Sequence, residues 1–546
     1  MVEPDVPVFR FGYGDSHVEP DPERLGNKGA GLVSMASAGL PVPPGFIVGT
    51  ETGARVLGEG EGFREQVKAS VRAALHDLEE LAGYRFGDAE KPFLVSVRSG
   101  AAVSMPGMMD TVLNVGLNDI TTHAIATLTG DDRFAWDTYR RFVQSYAAVV
   151  LGIEASLFDG VMEEARERHG VESDSELPAE DLRALTEAFR EIVAEETGEP
   201  FPQDVETQLE RAMVAVFRSW NAPTARDFRR LTGVQAQGTA AIVQAMVFGN
   251  RDARSCTGVY TTRNPSTGAK EPYGDFIPNA QGEDVVGGAY SGFELTEAAR
   301  ERSFSEGPSM EALFPEAHAA LLAMGADMEQ RFGAPQEIEF TVESDKLWLL
   351  QTRSAKLLPA ARVRVAVDMV GEGLISRAEA LRSCPREEVS AMVTSRVVPG
   401  GDRPVARGLA AGAGAVSGNV VFTSEAAVEA KERGEDVILM RPTTDPRDVR
   451  GMAASVGVIT SRGGQTSHAA VVARSLNTPC IVGATSLAID PAEGTCRVLD
   501  QTIRTGDRIT MDGKSGFLYL GDQPLDRPDP SPDIAALLQW HEEAEA

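Results

Sequence analysis

The chain has 546 residues, a formal net charge of −29, 42% apolar and 24% charged residues. Its length requires several domains rather than one core, and the acidic excess argues against the basic surface that nonspecific nucleic-acid binding needs. No run of about 18 apolar residues reads as a membrane span. The N-terminus, Met1 to Asp5, is acidic and does not read as a signal peptide. The four scattered cysteines (Cys256, Cys384, Cys480, Cys496) show no metal-type spacing. The expectation is a cytoplasmic protein with reduced thiols and with no nucleic-acid or membrane partner.

Residues 1 to about 115 mix short strand-like runs with glycine turns. Leu25-Gly26-Asn27-Lys28-Gly29-Ala30-Gly31 puts Lys28 in a glycine turn that opens a helix. Pro41 to Phe46 is a rigid extended connection. Pro92 to Arg98 reads as a strand ending at Arg98, whose planar cation suits phosphate oxygens. The small-residue loop after it could close over a polyphosphate or be plain surface. From about 118 to 230 the pattern is helical: Leu182, Leu185, Phe189, Ile192 and Val193 form one apolar stripe. The acidic run from Leu151 to Pro200 reads as its solvated face, and the section as a helical insertion.

Strand-like runs return between 238 and 355. In Gln336-Glu337-Ile338-Glu339-Phe340 the two glutamates share one strand face. Two adjacent carboxylates repel unless a cation sits between them, and Mg²⁺ on ATP phosphates would supply one; an edge strand with a polar outer face would read the same way. Trp348 to Arg353 follows. Residues 356 to about 395 look like a helical linker, with Met369, Leu374, Ile375 and Leu381 in a loose apolar pattern. A compact unit spans about 400 to 522, with short buried strands at Val437–Met440 and Val456–Thr460. A proline-rich stretch, Asp526 to Pro532, leads into a short acidic helix.

Gly463-Gly464-Gln465-Thr466-Ser467-His468 joins the second of those strands to a run of good helix formers. The order strand, glycine turn, helix places His468 at a helix N-terminus, with Thr466 or Ser467 as the cap. Backbone N–H groups there stabilise an anion, the glycines allow close approach, and a neutral imidazole is a competent nucleophile. The chemistry suggested is a transient phosphohistidine.

The segment Gly463 to Gly483, ending Thr478-Pro479-Cys480-Ile481-Val482-Gly483, closely resembles the phosphohistidine signature of the phosphoenolpyruvate-utilising enzymes, and within them the pyruvate, phosphate dikinase family. The resemblance runs from about residue 10 to 522 and includes Asn250, the run Thr262 to Gly268, and Asn279 to Val286. It implies an α/β multi-domain fold: an ATP-grasp nucleotide-binding domain at 1–355 with its helical insertion at 118–230, a helical linker at 356–399, a compact α/β phosphohistidine (swivelling) domain at 400–522 and a linker-like tail at 523–546. It implies that His468 accepts the phosphoryl group, with Gly463, Gly464, Thr466 and Ser467 around it. Lys28 and Arg98 would bind ATP phosphates; Glu337, Glu339 and Gln351 would hold Mg²⁺ and nucleotide, supported by Arg353 and Glu283. After Val286 the sequence departs from the family, reading Gly287-Gly288-Ala289-Tyr290-Ser291-Gly292.

The implied substrates are ATP and inorganic phosphate, and the implied cofactors Mg²⁺ and a monovalent cation. Full-length members also carry a barrel that binds pyruvate or phosphoenolpyruvate, and too few residues follow Gly521 to build one. The expectation is therefore the first half of the cycle. ATP gives its β-phosphoryl group to His468, phosphate takes the γ-phosphoryl group, and a separate barrel protein supplies the next acceptor. Three alternatives stand beside it: water as the γ-acceptor, as in phosphoenolpyruvate synthases; phosphorylation of a small organic molecule; and a phosphocarrier without ATP turnover.

Overall fold

The computed structural model describes residues 6–545 except 13–17, 59–60, 104, 106–108, 172–173, 234–237, 283–291, 304, 306, 393–395, 399–401, 413, 477 and 527–529. The chain divides into two compact units, Met1–Arg251 with Trp348–Thr352, and Asp252–Leu347 with Arg353–Ala546. Among the described residues no helix is long and apolar enough to cross a membrane.

The first unit holds a five-stranded sheet of β1 (Val8–Phe11), β2 (Gly45–Val48), β3 (Val95–Ala101), β4 (Thr111–Val115) and β5 (Thr239–Ala245), in the order β1-β2-β5-β3-β4. Its helix α1 (Pro22–Ser37) starts at Asp21, whose side chain accepts from the Glu23 N–H, with Pro22 at the first helical position. The glycine turn expected to precede this helix lies inside it, as a kink at Gly26 (φ 70°). A Cβ there would sit 1.9 Å from the Gly100 carbonyl oxygen, so only glycine lets α1 press against the end of β3.

The insertion is helical from Asp119–Thr129 to Pro223–Thr232. Leu182, Leu185, Phe189 and Val193 are buried and Ile192 half-buried, so the apolar stripe faces the core while the intervening acids face solvent. Each fully buried side chain of that stripe contributes about 1.5–3 kcal/mol.

In the second unit, β6 (Cys256–Thr261), β7 (Tyr273–Pro278), β8 (Phe293–Glu294) and β9 (Gln336–Glu343) lie in the order β8-β7-β6-β9, and left-handed Ser344 and Asp345 turn the chain into β10 (Lys346–Ser354). The run Thr262 to Gly268 forms a loop that seats the helix α2 (Pro359–Gly371). The Leu358 N–H donates to the Pro265 carbonyl at 2.9 Å, and a Cβ on Gly268 (φ 73°) would lie 2.7 Å from the Ala361 carbonyl oxygen. The buried Arg263 guanidinium donates to Glu329 and, at 2.9 Å, to Glu372 just past α2. The acidic helix Pro532–Glu545 packs Ile534 and Leu537 against Val363, Ala366, Ala380 and Val389.

The same unit contains an eight-stranded sheet: β11 (Ala406–Arg407), β12 (Leu409–Gly412), β13 (Ala415–Val421), β14 (Val437–Arg441), β15 (Gly457–Thr460), β16 (Cys480–Val482), β17 (Arg508–Asp512) and β18 (Phe517–Leu520), in the order β11-β18-β17-β13-β14-β15-β16-β12. Strands β13 to β16 are mutually parallel. That explains why Val437 to Met440 is apolar without alternation: both faces are covered. The helix α3 (His468–Ser475) is the crossover between β15 and β16.

Candidate functional site

His468 follows the carboxyl end of β15, the edge at which open parallel sheets place their ligand crevices. Gly463 has φ 98°, which sets the turn off the strand, and His468 is the first residue of α3. Ser467 occupies the cap position, but its side chain makes no capping bond and its hydroxyl is buried without a partner. The first backbone N–H groups of α3 have no intrahelical acceptor, as at any helix start, and Ser467 caps none of them. Thr466, the other expected cap, instead donates its hydroxyl to Asp275 Oδ2 at 3.4 Å. Behind the turn, the buried Arg474 of α3 donates to the Gln465 carbonyl at 2.8 Å and fixes the loop's shape.

The imidazole is half-buried. Its Nδ1 lies 3.1 Å from Thr444 Oγ1, and its Nε2 is buried with no partner. Burial lowers its pKa below the usual histidine value, opposed by the nearby carboxylates of Asp445 and Asp448. The neutral form is thus favoured at pH 7. With Nδ1 as the N–H donor to Thr444, the lone pair resides on the buried Nε2, where no hydrogen bond among the described residues engages it.

Sequence reading missed Thr444, Asp445 and Asp448. They sit on the turn after β14, whose last residue Arg441 pairs with Thr460 at the end of β15, so two parallel strands deliver both turns to one edge. The available signal was Thr444-Asp445-Pro446, a helix-start pattern: Asp445 and Asp448 cap the short helical turn Pro446–Asp448 reciprocally.

In the first unit the structure brings Arg98 and Gln351 together. One guanidinium nitrogen of Arg98 donates to Gln351 Oε1 at 3.2 Å, and the other to the Leu350 carbonyl at 2.8 Å and to Gln244 Oε1 at 3.2 Å. Arg98 is buried in the middle of β3, not at its end as expected, because the strand continues to Ala101. Lys28 is on α1, the helix that Gly26 holds against Gly100, and Gly31 of the same helix approaches the Thr352 carbonyl. Three chain segments carrying Lys28, Arg98 and Gln351 thus share one place.

In the second unit Glu337 and Glu339 lie half-buried on one face of β9, with Ile338 and Phe340 buried on the other. Arg353 donates to Glu337 Oε1, at 3.0 Å from Nε. Lys356, another residue the sequence did not single out, has its pKa lowered by burial and by Arg353, and donates to Ser475 Oγ at 3.0 Å. Among the described residues no group of three or more His, Cys, Asp or Glu side chains could hold a metal unaided. Two carboxylates on one strand face suit Mg²⁺, which takes few protein ligands and completes its shell with phosphate oxygens and water. Glu283 and the departing loop Gly287 to Ser291 lie outside the described residues.

Residues 61–312 match the family described as "Pyruvate phosphate dikinase, AMP/ATP-binding domain", and residues 432–516 the family "PEP-utilising enzyme, mobile domain". The chain is 46% identical over 536 residues to pyruvate, phosphate dikinase of Rhizobium meliloti (strain 1021), covering 98% of this chain and 60% of that protein. It is 41% identical over 538 residues to pyruvate, phosphate dikinase 2 of Zea mays, with the same coverage, and 39% identical over 538 residues to the Clostridium symbiosum enzyme, again covering 98% and 60%. The chain thus spans about 60% of the length of these relatives. The fold class is the expected one: mixed α/β, with an ATP-grasp-type nucleotide-binding domain and a mobile phosphohistidine domain.

Proposed function

Because the chain belongs to the pyruvate, phosphate dikinase family through its AMP/ATP-binding and mobile domains, we propose that it is an ATP-dependent phosphotransferase that forms a phosphohistidine at His468. The observation that carries this reading is the imidazole itself: held at Nδ1 by Thr444, kept neutral by burial, and with the Nε2 lone pair engaged by no hydrogen bond among the described residues, beside a glycine turn.

In this reading Nε2 takes the β-phosphoryl group of ATP. The bond between the α- and β-phosphates breaks to leave AMP, and inorganic phosphate accepts the γ-phosphoryl group to leave pyrophosphate. Lys28 and Arg98 hold the ATP phosphates, with Gln351 fixing the Arg98 fork, and charge positioning is the main catalytic lever. Glu337 and Glu339 hold Mg²⁺, which neutralises phosphate charge when bound, and Arg353 orients Glu337. A monovalent cation and a cytoplasmic location complete the proposal.

The domain boundaries at 355, 399 and 522 belong to it as well. The 400–522 domain swings about 356–400 and 523–532 to carry the phosphoryl group onward. Its next acceptor, pyruvate or another, is held on a barrel supplied from outside these 546 residues. Incubating the purified chain with ATP labelled at the β position, with and without phosphate, tests the reading. Acid-labile protein label supports it, and pyrophosphate formed when phosphate is added identifies phosphate as the γ-acceptor; free phosphate released from the γ position without added phosphate moves the γ-acceptor to water, and no label in either case leaves only a phosphocarrier.

A further inference from the structure

Lys356 lies two residues beyond β10, on a segment pinned at both ends to the sheet of β6–β9 and its loops. The Ala355 N–H donates to the Pro335 carbonyl at 2.7 Å, just before β9, and the Leu358 N–H to the Pro265 carbonyl at 2.9 Å. From this segment the Lys356 ammonium reaches Ser475, the last residue of α3, and donates to its Oγ at 3.0 Å. The hydroxyl proton of Ser475 goes to the Val471 carbonyl at 3.0 Å, which leaves the oxygen's lone pairs for a donor. Other side chains join the same two parts, Thr466 to Asp275 at 3.4 Å and Ser266 to the Ala410 carbonyl at 3.5 Å. Both are at the long limit of a hydrogen bond, whereas the Lys356 bond is shorter and its donor is charged.

We propose that Lys356 is a positioning residue for His468: through Ser475 it clasps α3, the helix that begins at His468, to the sheet that carries Glu337 and Glu339. The functional meaning rests on His468 as phosphoryl acceptor; the clasp itself rests on the Lys356–Ser475 geometry. Helix α3 is eight residues long, with His468 at one end and Ser475 at the other. It is a short rigid rod, so holding Ser475 at one end and Thr466 just before the other fixes where His468 sits. The charges around Lys356 are Glu337, which favours its cation, and Arg353 and Arg474, which oppose it. Removing the lysine therefore removes a repulsion along with the bond, and Ser475→Ala is the cleaner variant.

Distances between two spin labels on the full chain without nucleotide read the docked population. One label goes on Glu316→Cys in the helix Pro315–Phe332, the other on Glu493→Cys in the mobile domain. Both positions are exposed and all four native cysteines are buried, so the labels report from the introduced sites. Ser475→Ala and Lys356→Met should each lower the ratio of docked to undocked chain by about two- to tenfold. The double variant should fall no further than the larger single effect, because either change already removes the bond. Lys356→Arg, which keeps a charged donor, should stay closer to wild type than Lys356→Met. Labelling of His468 should slow by the same factor at saturating ATP, with the half-saturating ATP concentration unchanged.

A wild-type ratio in Ser475→Ala, or effects that multiply in the double variant, would overturn the clasp. If Lys356→Met does not fold, the ratio in Ser475→Ala decides alone. A docked population that shifts while labelling keeps its wild-type rate would overturn the positioning role. Because the distances are measured without ATP, failure of wild-type His468 labelling would remove the proposed function without touching the distance result.

Discussion

Thr444 Oγ1 lies 3.1 Å from Nδ1 of His468, so the imidazole is held at one nitrogen, while the other is buried and has no hydrogen-bond partner among the described residues. The contact spans 24 positions in sequence and exists because β14 and β15 are parallel neighbours whose following turns leave the same sheet edge. Thr444→Val keeps the shape and removes the hydrogen bond. It should slow labelling of His468 by about two- to tenfold, the value of one such bond at roughly 0.5–1.5 kcal/mol. Thr444→Ser should restore most of the rate, and an unchanged rate in Thr444→Val would leave the bond without a positioning role.

Burial depresses the His468 pKa, and Asp445 and Asp448 oppose it. A histidine whose folded pKa lies below 6.5 stays neutral as pH falls through 6.5 and gains its proton only further down. The acid limb of the labelling rate should therefore lie below 6.5, and folding stability tied to the neutral ring should be lost over the same range as pH falls. Asp445→Asn removes a charge that favours the imidazolium and should move the limb lower still. An NMR titration of the imidazole measures both; a midpoint at or above 6.5 would contradict the assignment.

Arg98 is buried and donates to Gln244, Leu350 and Gln351, so its removal should affect stability as well as the proposed phosphate binding. Arg98→Ala should cost about 1–3 kcal/mol by leaving buried acceptors unsatisfied, and should also weaken ATP binding. Arg98→Lys separates the two effects: it keeps the charge but loses the fork. Thermal unfolding and nucleotide titration on both variants should show Arg98→Lys binding ATP more tightly than Arg98→Ala while remaining weaker than wild type.

Glu337 and Glu339 present both carboxylates on one face of β9. Glu339→Gln should raise the Mg²⁺ concentration needed for half-maximal labelling by about ten- to a hundredfold, the loss of a charged ligand being worth roughly 1.5–3 kcal/mol. Glu337→Gln should do the same and loosen Arg353 as well. A Mg²⁺ requirement unchanged in Glu339→Gln would remove that residue from the metal site.

Period and punctuation were the parts of this molecule legible in sequence. Leu182 to Val193 announced a helix face, Val456 to Thr460 a buried strand, and the double glycine the turn that leads into His468. Contacts set by the sheet were not legible. The Gly26 kink depends on Gly100, 74 positions away, and local pattern read it as a turn before the helix. Arg98 read as a strand end because the small residues after it resemble a loop; pairing with Thr239 to Ala241 keeps them extended. The run Thr262 to Gly268 gave no hint that it seats α2, because its partners Leu358, Ala361 and Glu372 lie about a hundred positions later.

The most direct test of the central claim compares wild type with His468→Asn after incubation with β-labelled ATP, Mg²⁺ and phosphate. The wild type should carry acid-labile, alkali-stable label that maps to His468, with AMP and pyrophosphate formed in step. His468→Asn should bind nucleotide and unfold at the wild-type temperature yet carry no label. Label of the same amount on His468→Asn, or wild-type label mapped to another residue, would contradict the account.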